Sequence, residues 1–90
     1  MKRRVHVFIS GHVQGVSFRA NLWREANKHK VFGWVRNTKD NKVEAVFEGE
    51  DKNVEEVVKW CHSGPKAAKI ENVELFSEPD TEKLIRFEVR

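Results

Sequence analysis

The 90-residue sequence has little cysteine and no long apolar run. Its one cysteine, Cys61, cannot form a disulfide within the chain and excludes a metal site built from several cysteines. The longest apolar runs are far shorter than the roughly 20 residues that a transmembrane helix needs. Residues 1–4 are basic like the start of a signal peptide, but alternating residues follow them instead of an apolar stretch. These absences predict a cytoplasmic protein without a membrane partner.

Residues 1–24 contain no acidic residue, and Glu25 is the first one in the chain. The whole chain has 17 basic and 14 acidic residues, a formal net charge of +3. This charge is compatible with an anionic small molecule or with nucleic acid and decides for neither. With 39% hydrophobic and 34% charged residues, the composition is that of one ordinary folded domain, which we expect to cover residues 1–90.

Hydrophobic periodicity predicts five strands and two helices. Apolar residues alternate in the predicted strands, which are residues 5–10, 32–37 and 43–47, a segment around 73–75 interrupted near 78–80, and residues 85–89. They recur every three or four positions in the predicted helices, 17–30 and 54–61, the second of which Asp51 or Asn53 could cap. Residues 39–42 are polar and predict a hairpin turn.

The predicted order is βαββαβ with an extra C-terminal strand, which is the ferredoxin-like α+β arrangement. In such a fold two helices cover one face of an antiparallel sheet. Because many unrelated functions use this fold, it indicates no activity by itself.

The segment from Gly11 to Arg19 joins the first strand to the first helix, and it contains two glycines four residues apart. Glycine lets the main chain curl so that several N–H groups point inward, and the helix start adds free N–H groups. Arg19 in the first turn opposes the helix dipole by about 0.3–1 kcal/mol, and a bound anion would remove that cost. The segment is neither a Walker loop nor a dinucleotide-binding loop. A phosphoryl-binding loop and a plain turn with Arg19 in water both remain open on spacing alone.

The motif Gly-His-Val-Gln-Gly-Val-Ser-Phe-Arg at residues 11–19, with Gly-Trp-Val-Arg-Asn-Thr at residues 33–38, resembles the acylphosphatase family. The similarity continues through residues 43–44, 47–49, Trp60 and 64–67, and so covers nearly the whole chain. The family has the fold predicted above. The resemblance implies a hydrolase that cleaves the carboxyl–phosphate anhydride of acyl phosphates and uses neither a metal nor another cofactor.

Matched residue by residue, the resemblance assigns the phosphate-binding arginine to Arg19 and the water-orienting catalytic asparagine to Asn37. Thr38 matches a supporting position that helps to hold this asparagine. The loop would supply main-chain amides, and the predicted phosphate-binding residues are Gly11, His12, Val13, Gln14, Gly15, Val16, Ser17 and Arg19. No residue matches a nucleophile for a phosphoenzyme. The four histidines are too scattered to predict a metal site.

An RNA-binding module is an alternative, because RNA-recognition domains share this order of elements. Those modules carry aromatic residues on their central strands, whereas the third strand here carries Glu44 and Glu48, which would repel a phosphate backbone. A non-catalytic accessory domain is a third candidate, since acylphosphatase-like units occur inside larger carbamoyl-transferring proteins. We therefore expect a monomer that takes a small-molecule acyl phosphate and binds no nucleic acid.

Overall fold

The computed structural model describes residues 1–79 and 83–90. The predicted order of elements and the ferredoxin-like α+β fold are confirmed. The strands and helices are β1 (Lys2–His12), α1 (Phe18–Lys28), β2 (Phe32–Asn37), β3 (Val43–Glu50), α2 (Asp51–Cys61), β4 (Lys69–Ser77) and β5 (Phe87–Val89). The interruption expected near residues 78–80 is only partly described, since Asp80 lies outside the described residues.

The strands form one sheet in the order β4-β1-β3-β2-β5. β1 pairs antiparallel with both β3 and β4, and β2 pairs antiparallel with β3. β5 pairs parallel with β2, so the sheet is mixed at this edge instead of antiparallel throughout. This last pairing brings the end of β5 beside the end of β2.

The helix ends differ from the predicted ones. α1 begins at Phe18 because Ser17 has a left-handed φ of 60° and occupies the N-cap position. α2 begins at Asp51, directly after β3, with Glu50 as its extended N-cap. The predicted capping by Asp51 or Asn53 is therefore wrong, and Asp51 instead places its charge in the first turn, where the helix dipole favours it.

Both helices pack on one face of the sheet, and the predicted apolar stripes form the core. α1 contributes residues spaced by one turn, and so does α2, against the alternating residues of the strands. The main members are Val5, Val7, Ile9, Phe18, Leu22, Ala26, Val35, Phe47, Val54, Val57, Cys61 and Phe87. Burial raises the pKa of the Cys61 thiol, which therefore stays protonated as a packing residue. In the described part of the chain, neither helix has the length and apolar character needed to cross a membrane.

The opposite face of the sheet carries charged side chains, which we call the open-face charge network; its members are Arg4, His6, Arg36, Glu44, Glu48 and Glu78. Arg4 lies 3.5 Å from Glu48 and 3.3 Å from Glu78, although only 4% of its side chain is exposed. The ring of His6 lies between two carboxylates, 2.6 Å from Glu44 and 2.9 Å from Glu78. Positive and negative groups therefore alternate across the sheet.

Candidate active site

A cavity of about 410 Å³ lies at the start of α1, beside the ends of β2 and β5. It contains both Arg19 and Asn37, which the sequence analysis predicts to be catalytic. The residues that line it are Gly15, Ser17, Phe18, Arg19, Ala20, Asn37 and Val89. Among these residues Arg19 is the sole formally charged side chain, and none carries a carboxylate, imidazole or thiol. The cavity is thus electrically suited to a small anion.

The loop before α1 leaves its amides unpaired. Gly15 and Ser17 both have positive φ angles, 75° and 60°, in the left-handed region that favours glycine. Within residues 1–79 and 83–90, the N–H groups of residues 14–17 have no protein acceptor. The Ser17 hydroxyl makes no capping hydrogen bond either. These donors and the first N–H groups of α1 are therefore available to a ligand, and free main-chain N–H groups at a helix start are typical donors to anions.

The loop is held in shape by its two flanks. Gly11 sits at a bulge in the pairing of β1 with β4, where a Cβ atom would lie 2.1 Å from the carbonyl oxygen of Lys69. Only glycine allows this close approach. The side chain of Val13 is buried in the core, and Val16 packs against it. Gly11, Val13 and Val16 therefore shape the loop and do not line the cavity.

Arg19 is oriented by a main-chain contact. Its Nη1 donates a hydrogen bond to the main-chain oxygen of Arg90 at 3.0 Å. The first turn of α1 contains no acidic residue, and no side-chain carboxylate of the described residues lies within ion-pair distance of Arg19. The guanidinium therefore has a defined direction that a main-chain acceptor fixes, not a side-chain carboxylate.

Trp23 repeats this contact one helical turn later. Its Nε1 donates to the main-chain oxygen of Phe87 at 3.1 Å. Because residues four apart lie on the same side of a helix, Trp23 contacts the start of β5 and Arg19 contacts the residue directly after this strand. The two bonds attach α1 to the short strand β5, and we call them the α1–β5 clamp.

Asn37 is the last residue of β2, half-buried and paired with Val43. In the part of the chain that the structure describes, its side-chain amide makes no hydrogen bond to protein. The next residue, Thr38, uses its hydroxyl in the hairpin turn, where it bonds to Asp40 and accepts from the Lys42 N–H at 3.0 Å. Thr38 thus stabilises the turn that follows Asn37 and leaves the Asn37 amide free toward the cavity.

Besides Gly11, Val13 and Val16, two further predicted phosphate-binding residues do not line the cavity, namely Gln14 and His12. Gln14 donates through Nε2 to the carbonyl oxygens of Thr38 and Lys42, both at 2.9 Å. This side chain joins the loop to the hairpin that carries Asn37. His12 is exposed at the end of β1, paired with Lys69, and does not line the cavity.

Sequence reasoning missed three residues of the cavity wall, which are Phe18, Ala20 and Val89. Val89 lines the cavity because β5 pairs with β2. No local sequence pattern predicts a pairing between segments so far apart in the chain. Phe18 and Ala20 flank Arg19, so the helical position of Arg19 is the signal that could have indicated them.

Comparison with known proteins shows the family to which the chain belongs. The family model for acylphosphatase matches residues 5–89. An acylphosphatase of Rubrobacter xylanophilus is 51% identical over 88 residues, covering 98% of this chain and 80% of that protein. An acylphosphatase of Chloroflexus aurantiacus is 54% identical over 80 residues, covering 89% of this chain and 87% of that one. The crystal structure of acylphosphatase from Bacillus subtilis superposes with a TM-score of 0.94 at 30% identity, covering 100% of this chain and 99% of the other.

Proposed function

The chain belongs to the acylphosphatase family, whose members hydrolyse acyl phosphates, and we propose that it does so without a metal ion, through Arg19 and Asn37. The observation that carries this proposal is that both side chains line one cavity together with a loop of unpaired amides. In this proposal the phosphoryl group lies in the cradle formed by residues 15–17 and the start of α1. Arg19 binds two phosphoryl oxygens through its planar guanidinium.

Asn37 acts on the water in this proposal. Its amide, which lines the same cavity as Gly15 and Ser17, holds a water molecule in line with the bond to be broken. The water oxygen attacks phosphorus, and the bond between phosphorus and the acyl oxygen breaks. One water proton passes to a phosphoryl oxygen of the substrate, so the products are a carboxylate and inorganic phosphate. Because a carboxylate is a stable leaving group, the step needs no general acid from the protein.

Charge stabilisation supplies the remaining catalysis. Negative charge on the phosphoryl oxygens shifts as the acyl oxygen leaves, and preorganised donors stabilise it. The cavity lining offers Arg19 and main-chain N–H groups for this purpose, and it offers no carboxylate to hold a magnesium ion. This donor set supports a metal-independent mechanism.

The remaining parts of the proposal concern the protein as a whole. We propose one domain over residues 1–90 that acts as a monomer on a small-molecule acyl phosphate, without nucleic acid or membrane as partner. A cytoplasmic location is supported by the single cysteine, because reducing compartments seldom use disulfides.

The test is hydrolysis of benzoyl phosphate, followed by ultraviolet absorbance, with calorimetric binding of inorganic phosphate beside it. Activity should survive prolonged dialysis against EDTA. Asn37→Ala should retain phosphate affinity while its kcat falls by about 10²–10³, the scale for one preorganised polar group. Loss of activity in EDTA that a divalent cation restores would contradict metal independence. Equal loss of phosphate affinity in Asn37→Ala and Arg19→Ala would contradict the division of roles.

A further inference from the structure

We infer that Val89 forms an apolar wall against which the acyl part of the substrate packs, so that the site favours acyl phosphates with an uncharged, apolar acyl group. This inference rests on the proposed function of the same cavity. It concerns the acyl part of the substrate, which the proposed contacts of the loop and Arg19 do not touch.

The strand geometry places Val89 on the cavity side of the sheet. Side chains two residues apart on a strand share a face, and Phe87, two residues earlier, packs into the core with Phe47. Val89 pairs with the core residue Val35 of β2 but is not itself a member of the core. It is 47% exposed, and the surface that it exposes borders the same cavity as Arg19 and Asn37.

The size of the cavity leaves room for more than phosphate. Its volume of about 410 Å³ falls within the range of about 300–1,000 Å³ that accommodates small organic ligands. Ala20, small and exposed, directly follows Arg19 and leaves the space between α1 and Val89 open. An acyl group attached to a phosphoryl group at Arg19 would therefore extend along Val89.

The charges of the lining favour an uncharged acyl group. Arg19 is the one cation among the residues that line the cavity, and the phosphoryl group occupies it. A carboxylate on the acyl part would lose water and gain no second cation in the cavity. An aliphatic or aromatic acyl group would instead cover the exposed surface of Val89 and gain hydrophobic contact.

The α1–β5 clamp fixes this wall relative to the catalytic groups. Trp23 holds the main chain at Phe87, and Arg19 holds it at Arg90, on either side of Val89. Both contacts are to main-chain oxygens, so a change of the Val89 side chain removes neither of them. Substitution at position 89 therefore tests the wall separately from the anchoring of Arg19.

The experiment compares kcat/KM for benzoyl phosphate and acetyl phosphate in the wild type, Val89→Ala and Val89→Leu. A fully enclosed apolar contact discriminates by 10-fold or more per methylene, so a half-exposed wall should change the ratio by about fourfold. We expect Val89→Ala to lower the benzoyl-to-acetyl ratio by about this factor and Val89→Leu to raise it. The inhibition constant of inorganic phosphate should stay within a factor of about two, because the phosphate contacts are unchanged.

The control is Leu75→Ala, an exposed apolar residue of β4 at the opposite edge of the sheet, which should leave the ratio unchanged. An equal loss for both substrates in Val89→Ala, or a loss that comes with weaker phosphate inhibition, would overturn the acyl wall. If both substrates are hydrolysed and neither variant moves the ratio, the acyl wall alone fails. If the wild type hydrolyses neither substrate, the proposed function fails with it.

Discussion

Arginine residues on the two faces of the sheet have different kinds of partner. On the open face, Arg36 donates through Nε to Glu44 at 2.7 Å, and the buried Arg4 lies between two carboxylates. On the face covered by helices, Arg19 contacts a main-chain oxygen and no side-chain carboxylate among the described residues. Arg36 and Arg4 are thus paired with carboxylate side chains, whereas no side-chain carboxylate of residues 1–79 and 83–90 pairs with Arg19.

This difference has an energetic basis. Burying a charge carries a large desolvation cost that partners have to offset, and Arg4 has two carboxylates of the open-face charge network within 3.5 Å. Arg19 is only half-buried and opposes the positive end of the α1 dipole. The helix dipole thus disfavours the charge of Arg19, and an anion bound beside it would offset this contribution.

The largest expected effect comes from comparing Arg19→Ala with Arg36→Ala by kcat/KM for benzoyl phosphate. Arg19→Ala should lower it by about 10³-fold or more, the scale for an arginine that stabilises phosphoryl transfer. Arg36→Ala should change it by less than a factor of about three, because Arg36 pairs with Glu44 on the other face. Comparable losses of kcat/KM in the two variants would contradict the proposal that Arg19 acts on the substrate and Arg36 does not.

The next effect concerns stability. Arg4→Ala should lower the free energy of unfolding by about 3 kcal/mol, because it leaves buried Glu48 without this partner. The matched control is Arg3→Ala, whose exposed pair with Asp51 should contribute less than about 1 kcal/mol. Urea unfolding measures both, and kcat of folded Arg4→Ala should equal that of the wild type. If Arg4→Ala stays stable but loses activity, the open face of the sheet takes part in catalysis.

Gln14 provides a smaller effect that separates positioning from binding. Gln14→Ala removes two hydrogen bonds to the hairpin, each of which contributes about 0.5–1.5 kcal/mol. We expect kcat to fall by about tenfold as Asn37 loses its fixed position, with phosphate affinity nearly unchanged. His12→Ala, at an exposed position outside the cavity, serves as the control. If phosphate affinity falls as in Arg19→Ala, the Gln14 side chain binds phosphate directly.

The smallest effect is a shift of one pKa. The Thr38 hydroxyl is the main cause that holds the pKa of Asp40 below its ordinary value of 3.8. A lowered pKa in the folded state stabilises the protein above pH 3.8, and this contribution is lost as the pH falls through the folded value. Thr38→Val should therefore raise the Asp40 pKa and weaken the loss of stability in acid. NMR titration of the Asp40 carboxyl measures this pKa in both proteins. An unchanged pKa in Thr38→Val would mean that another contact lowers the pKa of Asp40.

Local pattern predicted most of the fold. Alternation over β1 and the spacing of Val54, Val57 and Cys61 correspond to the observed core, because burial on one face produces those periods directly. The polar segment at residues 39–42 forms a turn, with Asn41 at a positive φ of 67° that asparagine tolerates. These features depend on residues close in sequence.

Contacts between distant segments were beyond such reasoning. Alternation placed Glu44 and Glu48 on the outer face, yet both are buried, because arginine and histidine side chains from neighbouring strands cover them. The motif indicated Gln14 as part of the phosphate loop, but its amide reaches a hairpin 24 residues away. Val89 belongs to the cavity only through the parallel pairing of β5 with β2.

The α1–β5 clamp has a consequence for how this protein can vary. Arg19 and Trp23 bind main-chain oxygens, which every amino acid supplies, so these two bonds do not depend on which side chain position 89 carries. Substitutions at Val89 can therefore accumulate without releasing the arginine beside it. A saturation library at this one position samples new cavity walls on an unchanged catalytic frame, which makes β5 the natural starting point for directed evolution of the enzyme.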